Sequence, residues 1–379
     1  MQGTIIRRGK ASWRLKFDAG PRDPVTGKRK MLFITVRGKR EDAEKELRRR
    51  LTAIDKGMYV DPSALTVAQH LDTWLDETCP RTVAPKALER YRGLVRNQVV
   101  PHLGHVKLQK LRPADVDAWL NTLGKSGLSV RSIRHAHAVL RTALAHAAAI
   151  ELLDRNVASI IKPPKLERKE VEILTADEIA DSLTKLEGHS LYPIVALAIG
   201  TGARRGEIAA LKWSDVNLDG ATLRVERSLE QTAAGLRVKA PKTAAGRRTI
   251  SLPAFVVTAL REHRRKVLEL HLACGLGKLP ADAPVFGNPV EGGWSNPYSI
   301  SDRWRDAVKS RKLPKVTFHA LRHSHASALI AAGLDVVAVS RRLGHASPAL
   351  TLSVYSHLFV NTDQKAAAAI DAALKSRDG

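Results

Sequence analysis

Cysteine is nearly missing from this 379-residue chain. Cys79 and Cys274 stand far apart and form no CxxC pair, so neither a disulfide framework nor a zinc ribbon can be built from them. Long apolar runs are missing too: no stretch approaches the roughly 18 residues needed to span a bilayer, and no basic amphipathic anchor stands out. The N-terminus, MQGTIIRRGK, carries charge but not the apolar centre of about 7 to 15 residues that a secretory signal needs, so a cytoplasmic protein is expected. No Walker loop is present. Acidic residues are in deficit, 38 against 62 Lys and Arg, and the formal charge of +24 favours a polyanionic partner. With membranes disfavoured, that partner is expected to be nucleic acid.

The length predicts two or three domains. Residues 1 to 58 hold 17 Lys and Arg against 7 Asp and Glu, the densest basic block of the chain. Within it Trp13, Leu15 and Phe17 alternate with basic residues as on a strand. A loop over Gly20 to Gly27, a second strand over Arg29 to Val36 and a charged helix over Glu41 to Ile54 follow. Beyond Asp61-Pro62-Ser63 the period becomes helical, with Thr66 as N-cap and Val67, Leu71, Trp74 and Leu75 on one face. Further helices are expected over Ala84 to Val100, Pro113 to Leu123 and Ser129 to Leu152, with Lys86, Arg90, Arg92, Arg96, Arg131, Arg134 and Arg141 exposed among their apolar positions. His135, His137 and His146 share the last of these. The i, i+2 pair cannot face one ligand and no carboxylate completes a set, so surface or packing roles are preferred to a metal site.

Residues 162 to 171 read as a linker, because Pro163-Pro164 forbids helix and its charged flank has nothing to bury. Thr175 with Glu178 fits a capping box for a helix to about Leu186. An apolar helix over Leu191 to Ile199 ends at Gly200. Strands are expected over Ala221 to Ser228, Leu236 to Ala240 and Arg247 to Leu252, then a long helix over Ala254 to Ala273. Gln364 to Leu374 reads as a short tail helix that must dock somewhere.

The most informative stretch is Pro314 to Leu358. His319 and Arg322 stand three apart on one helical face, His345 follows a Leu-Gly pair, and Tyr355 lies ten residues beyond. An imidazole and a guanidinium on one face suit a phosphate, and a tyrosine attacking phosphorus would need a proton acceptor together with cations for the phosphoryl oxygens. A complete site of that kind calls for a second Arg and a proton donor from elsewhere in the chain. His319 and His323 also have the i, i+4 spacing of a zinc protease helix. The Glu that such a motif requires is replaced by Ala320, which leaves packing or hydrogen bonding for His323 and His325.

HALRH, LGHAS and TLSVYSH resemble the C-terminal boxes of the tyrosine recombinase (phage integrase) family, and TGARRGEI at Thr201 to Ile208 resembles its first box. The resemblance implies a multidomain fold, mainly α with small β-sheets. Its parts would be an arm-type DNA-binding domain of sheet plus helix (1–58), a four-helix core-binding domain (63–161), the linker (162–171), a mixed α+β catalytic domain (172–360) and a tail helix (361–379). For the basic N-terminal block a solvated module that merely aids solubility is the competing reading.

The same resemblance assigns the catalytic places to Arg204, Lys242, His319, Arg322, His345 and Tyr355. Tyr355 would attack a DNA phosphate and become linked to its 3′ side. Arg204 and Arg322 would bind the non-bridging oxygens, His345 would assist by hydrogen bonding, His319 would take the phenolic proton, and Lys242 would protonate the departing 5′ oxygen. On the sequence alone either Arg204 or Arg205 suits the first place, with Arg205 looking exposed, and Lys239 competes with Lys242. Glu207 is either a carboxylate that orients a neighbouring Arg or a simple helix-start residue. No cofactor and no metal are implied, because the phosphotyrosine ester conserves the bond energy.

The expected partners are double-stranded DNA attachment sites, further copies of the chain in a homo-tetramer on DNA, and an accessory DNA-bending or directionality factor. Arg90, Arg92, Arg96, Arg131 and Arg134 would contact phosphates. The tail would be exchanged with a neighbouring protomer or dock on its own domain. The implied activity is site-specific recombination that integrates or excises a mobile element, in a bacterial or phage context. The rivals are a type IB topoisomerase and a catalytically silent DNA-binding regulator.

Overall fold

Alternation of apolar and basic residues builds the first element of the chain. In the computed structural model, which describes residues 3–18, 31–55, 64–167, 172–241 and 244–356 together with the isolated positions 367, 370 and 371, three antiparallel strands form a sheet in chain order. They are β1 (Gly3–Gly9), β2 (Ser12–Asp18) and β3 (Met31–Arg37), with Ile5 opposite Leu15 and Leu15 opposite Ile34. Leu15 and Phe17 are fully buried against Ala43, Leu47 and Ile54 of α1 (Arg40–Asp55). The intervening residues of β2 face the other way, where the Arg14 guanidinium and the Lys16 ammonium each lie 5.9 Å from the Phe33 ring. The strand β1 was not expected from the sequence, since GTIIRRG offers a short, strongly charged alternation. The expected loop at Gly20 to Gly27 lies outside the described residues.

The second core of this unit is helical. α2 (Val67–Thr73) starts at Thr66, whose hydroxyl accepts from the Gln69 N–H. It runs through a π-helical turn, Trp74–Thr78, into α3 (Cys79–Thr82). α4 (Pro85–Leu94) likewise passes through a π turn, Val95–Val99, into α5 (Val100–Leu103). Each π turn hands over to a residue followed by proline, Cys79-Pro80 and Val100-Pro101. A proline ring clashes with the carbonyl four residues back and brings no N–H, and the wider turn absorbs both defects without ending the helix. The break expected at Pro101 is therefore a bulge inside a continuous helical run. α6 (Pro113–Lys125) and α7 (Val130–Ala149) complete the unit, with Leu71, Trp74, Trp119, Ile133 and Leu140 in its core. His137 is buried with its Nε2 donating to the Ala158 carbonyl at 3.0 Å, the packing role expected of it.

The chain divides between Glu167 and Arg168. The second unit is built around an almost wholly apolar helix. α8 (Ala176–Lys185) has the expected capping box of Thr175 and Glu178. α9 (Tyr192–Thr201) is buried from Pro193 to Thr201, because α11 (Ala254–Ala273) and α13 (Ala320–Ala331) pack against it. Each fully buried Leu, Ile or Val there stabilises the fold by about 1.5–3 kcal/mol. Between α9 and α11 come α10 (Arg205–Ala209), a sheet ordered β4 (Val216–Asn217), β5 (Thr222–Val225), β8 (Arg248–Ser251), and a hairpin of β6 (Ser228–Thr232) with β7 (Gly235–Lys239).

The strand expected over Ala221 to Ser228 is thus two strands in separate sheets. α12 (Pro297–Ser310) precedes α13, and α14 (Val336–Leu343) and α15 (Pro348–Tyr355) follow. Ala326, Ile330, Val339, Leu343 and Tyr355 form a satellite core that fixes the end of α15 against α13 and α14. The tail helix expected from Gln364 lies outside the described residues. No helix among the described residues is long and apolar enough to cross a membrane.

Candidate active site

The C-terminus of α14 organises the site. A helix leaves its last carbonyls without partners and carries partial negative charge there, so cations collect at that end. Three successive carbonyls each receive one guanidinium: Arg342 O accepts from Arg248 Nε at 2.7 Å, Leu343 O from Arg322 Nη2 at 2.8 Å, and Gly344 O from Arg204 Nη2 at 3.2 Å. Gly344 takes the left-handed conformation, φ 66°, and a Cβ there would lie 2.8 Å from Arg248 Nη1. Gly202 closes α9 in the same way, φ 64°, where a Cβ would meet His325 at 2.6 Å and Leu343 at 2.8 Å. Its carbonyl accepts from Arg322 Nη1 at 2.7 Å.

Glu207 holds the same cluster from the other side. Its carboxylate, 3% exposed, accepts from the Arg204 N–H at 2.9 Å, from Arg204 Nη1 at 2.8 Å and from Arg248 Nη2 at 2.9 Å. Burial alone would raise its pKa, but the charge and hydrogen bond of Arg248, the Arg204 N–H and the Arg204 charge outweigh it and bring the pKa below the usual value. Glu207 thus combines both readings: it caps the start of α10 at the Arg204 N–H and pairs with two neighbouring guanidiniums. Three guanidiniums against one carboxylate leave an excess of two positive charges. That excess shows in Arg322, whose pKa falls to about 9 through burial and the Arg204 and Arg248 charges, against the pull of Glu207. A bound anion would relieve it.

The two candidate arginines of the first box have different fates. Arg204 joins the cluster, while Arg205 turns to α12, donating to Ser301 Oγ at 2.7 Å and stacking 4.4 Å above the Tyr298 ring. It is half-buried there, not exposed as the sequence suggested.

Imidazoles and the phenol complete the arrangement. His345 Nδ1 and Thr351 Oγ1 are 2.8 Å apart, which fixes the ring, and burial with the charges of Arg322, Arg204 and Arg248 pushes its pKa down to about 4. Tyr355 is buried, and its hydroxyl lies 2.6 Å from His323 Nδ1. Burial raises its pKa to about 12 against the pull of Arg322. His319, at the start of α13, is exposed and stands edge-on to His323 with ring centroids 5.0 Å apart. Desolvation and the charges of Arg322, Arg204 and Arg205 lower its pKa.

Arg204, Glu207, Arg322, His345, Tyr355 and His319 therefore come together around Arg322. Lys242 lies outside the described residues, and its competitor Lys239 is paired with Glu230. Beside His319 and Arg205 opens a groove of about 970 Å³ that also carries Arg305, Lys309, Lys312 and Lys315.

Sequence reasoning missed Arg248 and Arg342. The signal for Arg248 was available: on β8 it alternates in phase with the buried Ile250, and an inward-facing arginine needs a carboxylate. Arg342 donates to Gly200 O at 2.9 Å and, through Nε, to His325 Nε2 at 3.1 Å. His325 in turn donates from Nδ1 to Ile199 O at 2.7 Å. In the helical unit Arg90, Arg92, Arg96, Arg131 and Arg134 are all exposed. Desolvation and the charges of Arg90, Arg131 and Arg134 lower the pKa of His135, so these three form one basic patch. Arg92 is paired with Asp76 at 2.8 Å, and Arg134 Nη1 donates to Pro164 O at 3.0 Å.

Two excess positive charges beside a tyrosine hydroxyl suit a bound anion. Comparison with known proteins supplies the family. The profile of the phage integrase family matches residues 166–362, and that of the phage integrase N-terminal SAM-like domain matches residues 66–124. A XerC-like tyrosine recombinase of Caldanaerobacter subterraneus is 28% identical over 93% of this chain and 94% of its own length. An integrase of Streptomyces ambofaciens is 30% identical over 88% of this chain and 87% of its own. Among solved structures, the Tn1549 transposon integrase in complex with transposon right end DNA superposes with a TM-score of 0.65 at 21% identity, covering 82% of this chain and 100% of that one. A lambda integrase tetramer bound to a Holliday junction gives 0.56 at 21% identity, over 90% and 92% of the two chains.

The chain belongs to the phage integrase family and is a site-specific DNA recombinase of the tyrosine type.

Proposed function

We propose that Tyr355 is the nucleophile that cleaves one DNA strand at an attachment site, leaving the chain joined to the 3′ phosphate. The observation that carries this is the trio Arg204, Arg322 and Arg248 on three successive carbonyls, only one carboxylate among them, beside the buried phenol. Arg322 and Arg204 bind the two non-bridging oxygens with the donors they do not use for the backbone. Preorganised donors of this kind need no rearrangement as charge builds on the phosphoryl group. His345, its ring held by Thr351, donates a hydrogen bond to the same group. His319 meets the phosphate from the exposed side, and Lys242 protonates the departing 5′ oxygen.

The arm-type domain (1–58), the core-binding domain (63–161), the linker (162–171), the catalytic domain (172–360) and the tail (361–379) divide the work. The separate cores of the sheet and of the helical part support the first division. Arg90, Arg131 and Arg134, with Arg92 and Arg96, track phosphates of the duplex. The protein assembles as a homo-tetramer on attachment-site DNA in the cytoplasm of a bacterium, where it integrates or excises a mobile element with the help of a DNA-bending or directionality factor. The known assembly of lambda integrase as a tetramer on a Holliday junction supports the stoichiometry.

The test is Tyr355→Phe, which removes one oxygen and little packing. On nicked duplex carrying the direct repeat that bounds the element, wild type traps a covalent protein–DNA adduct and the variant traps none. An adduct formed undiminished by the variant overturns the assignment. Relaxation of supercoiled DNA without a defined site would instead favour a topoisomerase.

A further inference from the structure

We propose that His323 is a catalytic residue of strand cleavage, the group that takes the proton from Tyr355. The inference rests on Tyr355 being the nucleophile. His323 is not among the six places the resemblance implies, which gives the proton-accepting role to His319. The geometry favours His323: its Nδ1 is 2.6 Å from the Tyr355 oxygen, within hydrogen-bond reach, whereas among the described residues no hydrogen bond joins His319 to that oxygen. Among the described residues Tyr355 Oη has no other hydrogen-bond partner.

Both partners sit on helices. His323 lies within α13 directly after Arg322, whose charge acts on both His323 and Tyr355. Tyr355 ends α15 in the satellite core shared with α13 and α14. Burial, His319 and Arg322 bring the His323 pKa down to about 4, so the ring is neutral and its lone pair is free at physiological pH. An anionic phosphate beside Arg322 offsets the same repulsion as the proton arrives.

The step balances without a co-reactant. The Tyr355 O–H bond breaks and its proton passes to His323 Nδ1, while the phenolic oxygen forms a bond to phosphorus. The bond from phosphorus to the 5′ oxygen breaks, and that oxygen takes the proton Lys242 supplies. Rejoining runs the same path backwards and returns the His323 proton to the phenol.

The experiment uses the full chain and the same nicked duplex, read as single-turnover adduct formation. His323→Asn keeps a hydrogen-bonding group near Nδ1 but cannot accept a proton at working pH, so cleavage is expected to slow by about 100-fold or more. The slowing must persist on a duplex with sulfur in place of the bridging 5′ oxygen, whose thiolate leaves without a proton. Lys242→Ala should recover on that substrate.

A His323→Asn rate within threefold of wild type overturns the proposal, and so does its rescue by the sulfur substrate. Should His323→Asn fail to fold, as read by its thermal midpoint, His323→Gln is read in the same assay. Independently of any His323 variant, Tyr355→Phe in ¹⁵N-histidine-labelled protein must shift one Nδ1 resonance, and a spectrum with every histidine unmoved overturns the contact. Absence of a Tyr355 adduct in wild type would sink the nucleophile assignment itself, whereas a normal adduct in His323→Asn sinks only this inference.

Discussion

Arg248 Nη2 donates to Glu207 Oε2 at 2.9 Å across 41 residues of sequence, with both side chains less than a tenth exposed. Together they fix Arg204, which shares the same carboxylate. Removing one member of a buried pair strands the other. Arg248→Met should therefore destabilise the catalytic unit by about 3–5 kcal/mol, read as a lower urea midpoint. Adding Glu207→Gln should recover part of that loss, because the uncompensated charge disappears. A single variant as stable as wild type would mean that the pair is replaceable by solvent.

Arg322 spends two of its donors on Gly202 O and Leu343 O, bridging α9 to α14 while its remaining N–H groups are free for a phosphate. A lysine ammonium is a point charge and cannot reach both carbonyls and the substrate. Arg322→Lys should lower the single-turnover cleavage rate about 10²–10³-fold, the range seen when one preorganised donor is lost. Affinity for uncleaved duplex, set by many other cations, should change far less. Cleavage within a few-fold of wild type would show that a single charge suffices.

Part of this site was legible before any coordinates: helical spacing puts His319 and Arg322 on one face, whereas the places of Arg204, His345 and Tyr355 are what the resemblance to the family's boxes implies. His319 with Arg322, the Leu-Gly before His345 and the Gly of TGARRGEI are local patterns, and local patterns report local geometry. The capping box of Thr175 with Glu178 and the helix Ala254–Ala273 were legible for the same cause. What stayed hidden depends on tertiary contact. The choice of Arg204 over Arg205 is made by the α14 carbonyls and by Tyr298, more than 90 residues away in sequence. The partner of the Tyr355 hydroxyl is fixed by how α15 packs on α13, which no spacing encodes. The π turns before Pro80 and Pro101 were hidden as well, because proline in a sequence signals a break and the wider turn removes the need for one.

Three histidines make the catalytic unit sensitive to mild acid. Burial, with neighbouring arginines and, for His323, the adjoining His319, holds His323, His325 and His345 at about 4, below the ordinary value near 6.5. Between those values the unfolded chain binds more protons than the folded one, so unfolding free energy rises with pH across the window. Stability is full above about pH 6.5 and is lost as pH falls towards 4. His325 shows the cause most directly: Nδ1–H serves Ile199 O, so a second proton at Nε2 would face the Arg342 N–H already donated there. The lowered pKa of Glu207 acts in the same direction at lower pH. The urea midpoint should therefore be clearly lower at pH 5 than at pH 7.5. Equal midpoints would mean that these rings titrate normally in the folded protein.

The basic patch of the helical unit gives a different kind of prediction, because its charges are exposed and screened by salt. Arg90, Arg131 and Arg134 stand close enough together to act on His135, an arrangement that suits a run of phosphates better than any single base. Each phosphate neutralised releases condensed counterion, and the logarithm of the binding constant falls with the logarithm of salt by about 0.9 per contact. Arg131→Ala and Arg90→Ala should each weaken binding to specific and unrelated duplexes by the same factor and reduce the salt slope by about one. Arg92, already paired with Asp76, should lose less on the same substitution, since the ion pair must be broken before it can serve DNA. Fluorescence anisotropy across a salt series separates these outcomes. A variant that weakens one sequence and spares another would place its arginine on a base edge instead of the backbone.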